Sequence, residues 1–177
     1  MCEECNKLYE EKLQKIFEYN LNDLKDGADS DIKKRAREQN LASWYQGLDS
    51  DGVINYETRS ITTPNVRVWN QKIKLLDLQE AIDIYKEEGD ITEEDIANLV
   101  TFGDIAVWCD DPSFLYWGWQ YIAWQLDYGI EKMDIEPNIR NPKRKGTVCK
   151  HLYTVFTVMP MHIKRITRDL KNSGLLE

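Results

Sequence analysis

An α+β fold is what this sequence predicts, and three observations carry the prediction. Apolar residues recur at three- and four-residue spacing through residues 9–24 and again through 32–45, as amphipathic helices require. Between 53 and 77 the pattern shifts to alternation, in stretches rich in Val, Ile, Thr and Trp, which fits strands. After 104 a short apolar run leads into an aromatic helical stretch, and a second helical pattern closes the chain. The expected order is an N-terminal helical hairpin, a small antiparallel sheet and C-terminal helices.

The first helix is expected from YEEKLQKIFEYNLNDLKDG, where Tyr9, Leu13, Ile16, Phe17, Leu21 and Leu24 form one stripe and Gly27 ends it. The second is expected from DSDIKKRAREQNLASWYQGL, through Ile32, Ala36, Leu41, Trp44 and Tyr45, with Asp29 or Ser30 as N-cap. SDG at 50–52 marks a turn. Residues 1–49 thus read as a helical hairpin extension and 50–177 as an α+β domain. VINYETRSITT and, after Pro64, VRVWNQKIKLLDL read as a hairpin or two edge strands. LQEAIDIYKEEG reads as a short helix ending near Gly89. Thr92, with Asp95 three residues on, opens another through a capping-box arrangement.

DIAVWC, 104–109, reads as a strand. Asp111 suits an N-cap and Pro112 a first helical turn. The next helix sets Phe114, Trp117, Tyr121, Trp124 and Tyr128 on one side, up to Gly129. A loop with Pro137 and Pro142 carries Arg140, Lys143, Arg144 and Lys145. The last helix begins near Val148, runs through Leu152, Val155, Phe156 and Met159, and is kinked or restarted by Pro160.

A length of 177 residues suits one domain, or one with an extension, around a modest core. Six Trp and nine Tyr serve a core, and such residues are also enriched at protein contacts. No apolar run approaches a bilayer span, and the start lacks a basic-then-apolar signal, so a soluble protein made in a cytosol is expected. In a reducing compartment Cys2, Cys5, Cys109 and Cys149 point to thiols or metal before disulfides.

The net charge of −8 is unevenly divided. Residues 1–139 hold 14 Lys and Arg against 29 Asp and Glu, and residues 140–177 hold 9 against 2, giving −15 and +7. An acidic body disfavours a general nucleic-acid binder. It permits head-to-tail contact between copies, although a solvated last helix accounts for its basic residues equally well.

Cys109, Asp111, Cys149 and His151 form a Cys-x-Asp…Cys-x-His set. A strand end leading into a helix brings the first two to one bend. A helix start aims the other two back at it, and zinc takes four such ligands in structural sites. Taken singly, Cys109 reads as a small core residue, Asp111 as a cap and His151 as a helix residue bonding a neighbour. A rival shell joins Cys2 and Cys5 to Cys149 and His151, although cysteines near a chain end are often incidental.

No catalytic constellation emerges. There are two His, no Gly-rich phosphate loop and no Gly-x-Ser-x-Gly elbow. The carboxylates of DITEED read as a cap and a solvated face, and DSDG lacks the closing Glu of a calcium loop. Cys109 with His151 has no third group to orient the base.

The stretch DIAVWCDDPSFLYWGWQY…IEPNIRNPKRKGTVCKHLYTVF, within 104–160, resembles a segment of structural proteins of tailed phages, especially crAss-like phages. It is also similar to the SWIM zinc-finger signature, Cys-x-Cys…Cys-x-His. RNPKRKGTVCKHLY, Arg140 to Tyr153, is its most specific part. The resemblance implies a strand–helix zinc module with Cys109, Asp111, Cys149 and His151 as ligands, Asp111 standing where the signature has Cys. It implies a non-catalytic virion protein, a ring component at the portal, neck or tail junction, synthesised in a bacterial host cytoplasm. Its partners would be copies of itself and other portal, neck or tail proteins, close to packaged DNA and away from membranes. The alternative is a SWIM-like, zinc-dependent nucleic-acid-binding protein. Arg140, Lys143, Arg144, Lys145 and Lys150 would then meet phosphates, or an acidic partner, with Trp117 or Trp119 stacking on bases.

Overall fold

The structure is a computed structural model that describes residues 19–63, 67–88 and 91–175. Cys2, Cys5 and most of the first expected helix lie outside those residues, and the rival Cys2–Cys5 shell with them. The described chain is α+β, as the sequence predicts. Strands β1 (Leu41–Leu48), β2 (Ile54–Ser60), β3 (Trp69–Leu75) and β4 (Ile105–Cys109) form one antiparallel sheet in the order β1-β2-β3-β4. Each pairs with the next in sequence.

Alternation decides which face is buried. Ser43 and Tyr45 on β1, Ile54, Tyr56 and Thr58 on β2, and Gln71, Ile73 and Leu75 on β3 are all buried. On β4 the matching set is Ile105, Val107 and Cys109. The register sets Tyr45 opposite Tyr56, Ile54 opposite Ile73, Ile73 opposite Val107 and Gln71 opposite Cys109, so these side chains share one face. One end of that face is apolar. The other carries Ser43, Thr58, Gln71 and Cys109.

Helices α1 (Leu21–Asp26) and α2 (Ser30–Glu38) precede the sheet. Asn20 caps α1 and Asp29 caps α2 through their side-chain oxygens. Residues 41–48, expected to continue the second helix, form strand β1 instead. Asn40 turns the chain with φ +46°, a left-handed conformation that ends a helix. Leu41, Trp44 and Tyr45 only happen to continue the helical spacing of Ile32 and Ala36. As a strand they pair with β2, and Trp44 emerges on the open face beneath the Arg59 guanidinium, 4.9 Å from its ring centre. The expected division at 49/50 falls in the β1–β2 turn, where Asp49 accepts from the N–H groups of Asp51 and Val53. Leu21, Leu24 and Ile32 join the same core as the sheet.

Between β3 and β4 run α3 (Leu78–Glu88) and α4 (Glu93–Phe102). The capping box at Thr92 forms as expected: Asp95 N–H donates to Thr92 Oγ1, and Thr92 N–H donates to Asp95 Oδ2. After β4 the single expected helix is two, α5 (Pro112–Tyr116) and α6 (Trp119–Gln125). Gly118 separates them with φ +75°, and a Cβ there would lie 2.1 Å from Pro137 Cβ. The chain then returns beside β4: Val107 N–H donates to Tyr128 O and Ile130 N–H to Val107 O.

Helix α7 (Lys150–Val158) packs across the buried face against all four strands. Leu152, Val155 and Phe156 are fully buried there. Each such side chain stabilises the fold by about 1.5–3 kcal/mol. Pro160 falls in a 3₁₀ turn, Met159–His162, and α8 (Ile163–Asn172) is the last helix among the described residues. The restart matches the expectation. No helix among the described residues is long and apolar enough to cross a membrane.

Candidate metal centre

The polar end of the sheet face is built by a short series of hydrogen bonds. Thr58 Oγ1 donates to Gln71 Oε1 at 2.6 Å, so the 2.6 Å contact between Ser43 and Thr58 has Ser43 as donor. Gln71 Nε2 donates to Cys109 Sγ at 3.7 Å. The series Ser43, Thr58, Gln71, Cys109 therefore crosses the sheet from β1 to β4 and ends on sulfur. Buried polar groups need partners of this kind. A second donor, the Asp111 N–H, reaches the same sulfur at 3.5 Å. Both donors aim at the sulfur's lone pairs and fix its position at the strand end.

The bend after β4 is held independently. Asn70 donates its backbone N–H and its side-chain amide to the two oxygens of Asp110, each at 2.7 Å, and Asp110 N–H donates back to Asn70 O. Asp111 then caps α5, accepting from Ser113 N–H at 2.9 Å and from the Ser113 hydroxyl. On the other side, Tyr128 OH donates to Thr147 O and Thr147 Oγ1 donates to Leu24 O. These contacts seat Val148 and Cys149, the latter at the N-cap of α7 with no side-chain capping bond of its own.

These supports bring the two pieces together. Cys109 Sγ, Cys149 Sγ and a ring nitrogen of His151 lie within 4.8 Å of one another, and all three residues are buried. Both cysteines are free. Asp111, expected as a fourth ligand, is outside that set. Its carboxylate is occupied by Ser113, and Oδ2 lies 3.0 Å from His151 Nδ1. That approach is off the line of the ring N–H. His151 Nδ1 is buried and makes no directed hydrogen bond. The His151 ring stacks on Trp69, and Arg67 covers the same indole.

The electrostatics favour a cation. Burial opposes charge on every group here. It raises the Asp111 carboxyl, but the adjacent His151 ring and the two Ser113 hydrogen bonds prevail and hold it near 2. Burial lowers His151, but Asp111 and Cys149 outweigh it and leave the imidazole above its ordinary range. Burial raises Cys149, while hydrogen bonds from Cys109 and His151 and the Leu152 N–H bring it below an ordinary thiol. Cys109 is pushed up by burial and by the neighbouring Cys149 sulfur. Two adjacent sulfurs cannot both ionise without a positive charge between them.

The donor set fits zinc: two buried, free cysteine sulfurs and an imidazole within reach of one ion. Asp111 fits a carboxylate that orients the histidine ligand. Gln71, Thr58 and Ser43 were not evident as supports from sequence. The only signal was that Gln71 falls in the inward phase of Gln71, Ile73 and Leu75.

The basic residues divide. Arg140, Lys143 and Lys145 line a cleft of about 310 Å³ together with Trp117, Trp119 and Arg35, which the sequence did not single out. Arg144 is elsewhere, over the Tyr121 ring and 3.9 Å from Glu136. Lys150 opens α7 and does not line the cleft. The chain matches no protein-family model, no curated protein and no solved structure.

Proposed function

We propose that this chain is a non-catalytic structural protein whose fold is stapled by zinc held through Cys109, Cys149 and His151. The observation that carries the reading is the convergence of those three buried side chains where a strand end meets a helix start. Zinc would supply positive charge to paired thiolates and a covalent-strength link between β4 and α7. The cysteines and His151 are only 0–3 % exposed, which suits a closed structural site and not one that admits substrate. Asp111 would hold the His151 ring.

The wider proposal is a bacteriophage virion component, a ring protein at the portal, neck or tail junction. Its support is the resemblance over 104–160, whose Cys…Cys-x-His residues are the ones that meet in the fold. Mass spectrometry of purified particles, with metal analysis of the isolated protein, tests it. The protein should be present in fixed copy number and carry zinc. A zinc-free protein absent from particles contradicts it.

A second reading, a SWIM-like nucleic-acid-binding protein, is favoured by the cations and indoles around the 310 Å³ cleft. It requires affinity for oligonucleotides that falls steeply with salt.

A further inference from the structure

The cleft lies between the start of α2, the α5–α6 junction and the 140–145 loop. Trp117 and Trp119 stack there with centroids 6.2 Å apart. Trp119 is buried and donates its indole N–H to Lys145 O, whereas Trp117 is 37 % exposed. Asn141 makes the loop rigid: its Nδ2 donates to Lys145 O, and its Oδ1 accepts from Lys145 N–H. Ile32 and Pro142 add apolar lining. Arg35, Arg140, Lys143 and Lys145 supply four cations, none with an ion-pair partner among the described residues. Asp29 and Asp31 also line the cleft, and Asp29 is turned to its own helix as a cap.

The same chain carries a complementary acidic segment. From Asp77 to Asp104 the sequence has ten Asp and Glu against one Lys. Glu80, Asp83 and Glu94, on the exposed faces of α3 and α4, make no ion pair among the described residues. Glu93, on the same helix as Glu94, is met by Lys164 at 4.0 Å. Ile84 and Phe102 are 50 % and 66 % exposed on those helices, an apolar complement to Trp117.

We propose that the Trp117–Lys145 cleft is the socket for the acidic α3–α4 surface of a second copy of this chain. The two patches sit on different elements and differ in sign. The contact is therefore heterologous and can repeat head to tail around a ring, whereas an isologous contact closes as a dimer. This rests on the ring reading above and names its interface. A second copy fits better than a nucleic-acid strand because it brings exposed aliphatic and aromatic side chains, Ile84 and Phe102, together with its carboxylates to a cleft whose lining mixes Ile32, Pro142 and Trp117 with the cations.

The test is sedimentation velocity at low and high salt on the full chain. Wild type should associate at low salt and dissociate as salt screens the contact. Lys143→Glu with Lys145→Glu should weaken association by about tenfold or more, since like charges then face each other. Asp83→Lys with Glu94→Lys should do the same. The two variants mixed should associate again, because each then offers the other complementary partners. Trp117→Ala should weaken association with every charge in place. Unchanged metal content and circular dichroism show that the variants fold. A monomeric wild type at low salt, no recovery on mixing, or loss of oligonucleotide binding alone would overturn the proposal. Each of these leaves the presence of the protein in particles, a separate measurement, untouched.

Discussion

The chain's two histidines differ in their charged neighbours. His151, at the start of α7, is 1 % exposed and lies beside Asp111 and Cys149. Those groups outweigh burial and raise its pKa. His162, where the 3₁₀ turn meets α8, is half-buried between the rings of Tyr45 and Tyr56, with Nδ1 3.1 Å from Tyr56 OH. Burial, then the Arg165 charge, lower its pKa. Burial alone does not separate them, since it works against charge in both. The charge of the neighbours does: sulfur and carboxylate invite a cation at His151, whereas the Arg165 guanidinium repels one at His162.

Substitution should expose that difference most strongly. His151→Ala removes a metal ligand, the ring stacked on Trp69 and the positive neighbour of the Asp111 carboxylate, and should cost about 3–5 kcal/mol, with loss of bound metal. His162→Ala removes one hydrogen bond from a half-buried ring and should cost about 1 kcal/mol, with metal content unchanged. Denaturant midpoints and elemental analysis of both variants check this.

Chelation sharpens the same contrast. Stripping metal should lower the melting temperature of wild type and of His162→Ala, because binding energy at such a site is folding energy. It should leave His151→Ala where it was. Asp111→Asn comes next in size. Asn retains the N-cap of α5, so stability should fall less than in His151→Ala, while weaker orientation of His151 should reduce metal affinity about 10–100-fold. Competition with a chromophoric chelator measures it.

The smallest effect is in pH dependence. A histidine whose folded pKa lies below the unfolded value binds a proton more readily when unfolded. The His162 contribution to stability is therefore present above the ordinary histidine value of 6.5 and is lost as pH falls from there through the folded pKa. His162→Gln should flatten the stability profile in that window. Tyr56→Phe, which removes the hydroxyl facing His162, should cost about 0.5–1.5 kcal/mol.

Much of this was legible in the sequence where one local signal acted alone. The Thr92–Asp95 box, the Asp111-Pro112 start of α5 and the alternation of β2 and β3 each depend on neighbours a few residues away. Strand β1 was not legible, because Leu41, Trp44 and Tyr45 satisfy helical spacing as well as strand pairing. Only the left-handed Asn40 and the partner strand β2 decide between them. Gly118 was present in YWGWQY as a break, but its reason is Pro137, nineteen positions on. At the site, Cys109, Cys149 and His151 were legible from spacing and from the expected strand end and helix start. That Asp111 meets Ser113 and the His151 ring and lies outside the close trio was not, because it depends on how α5 starts.

Cobalt substitution tests the central claim most directly. The apo protein titrated with Co(II) should take up a single ion per chain, with the intense near-ultraviolet absorption of thiolate-to-cobalt charge transfer. Zinc should displace that ion, and Cys149→Ala should abolish the band. Failure to bind cobalt or zinc, or the same spectrum after Cys149→Ala, would contradict a metal joining β4 to α7.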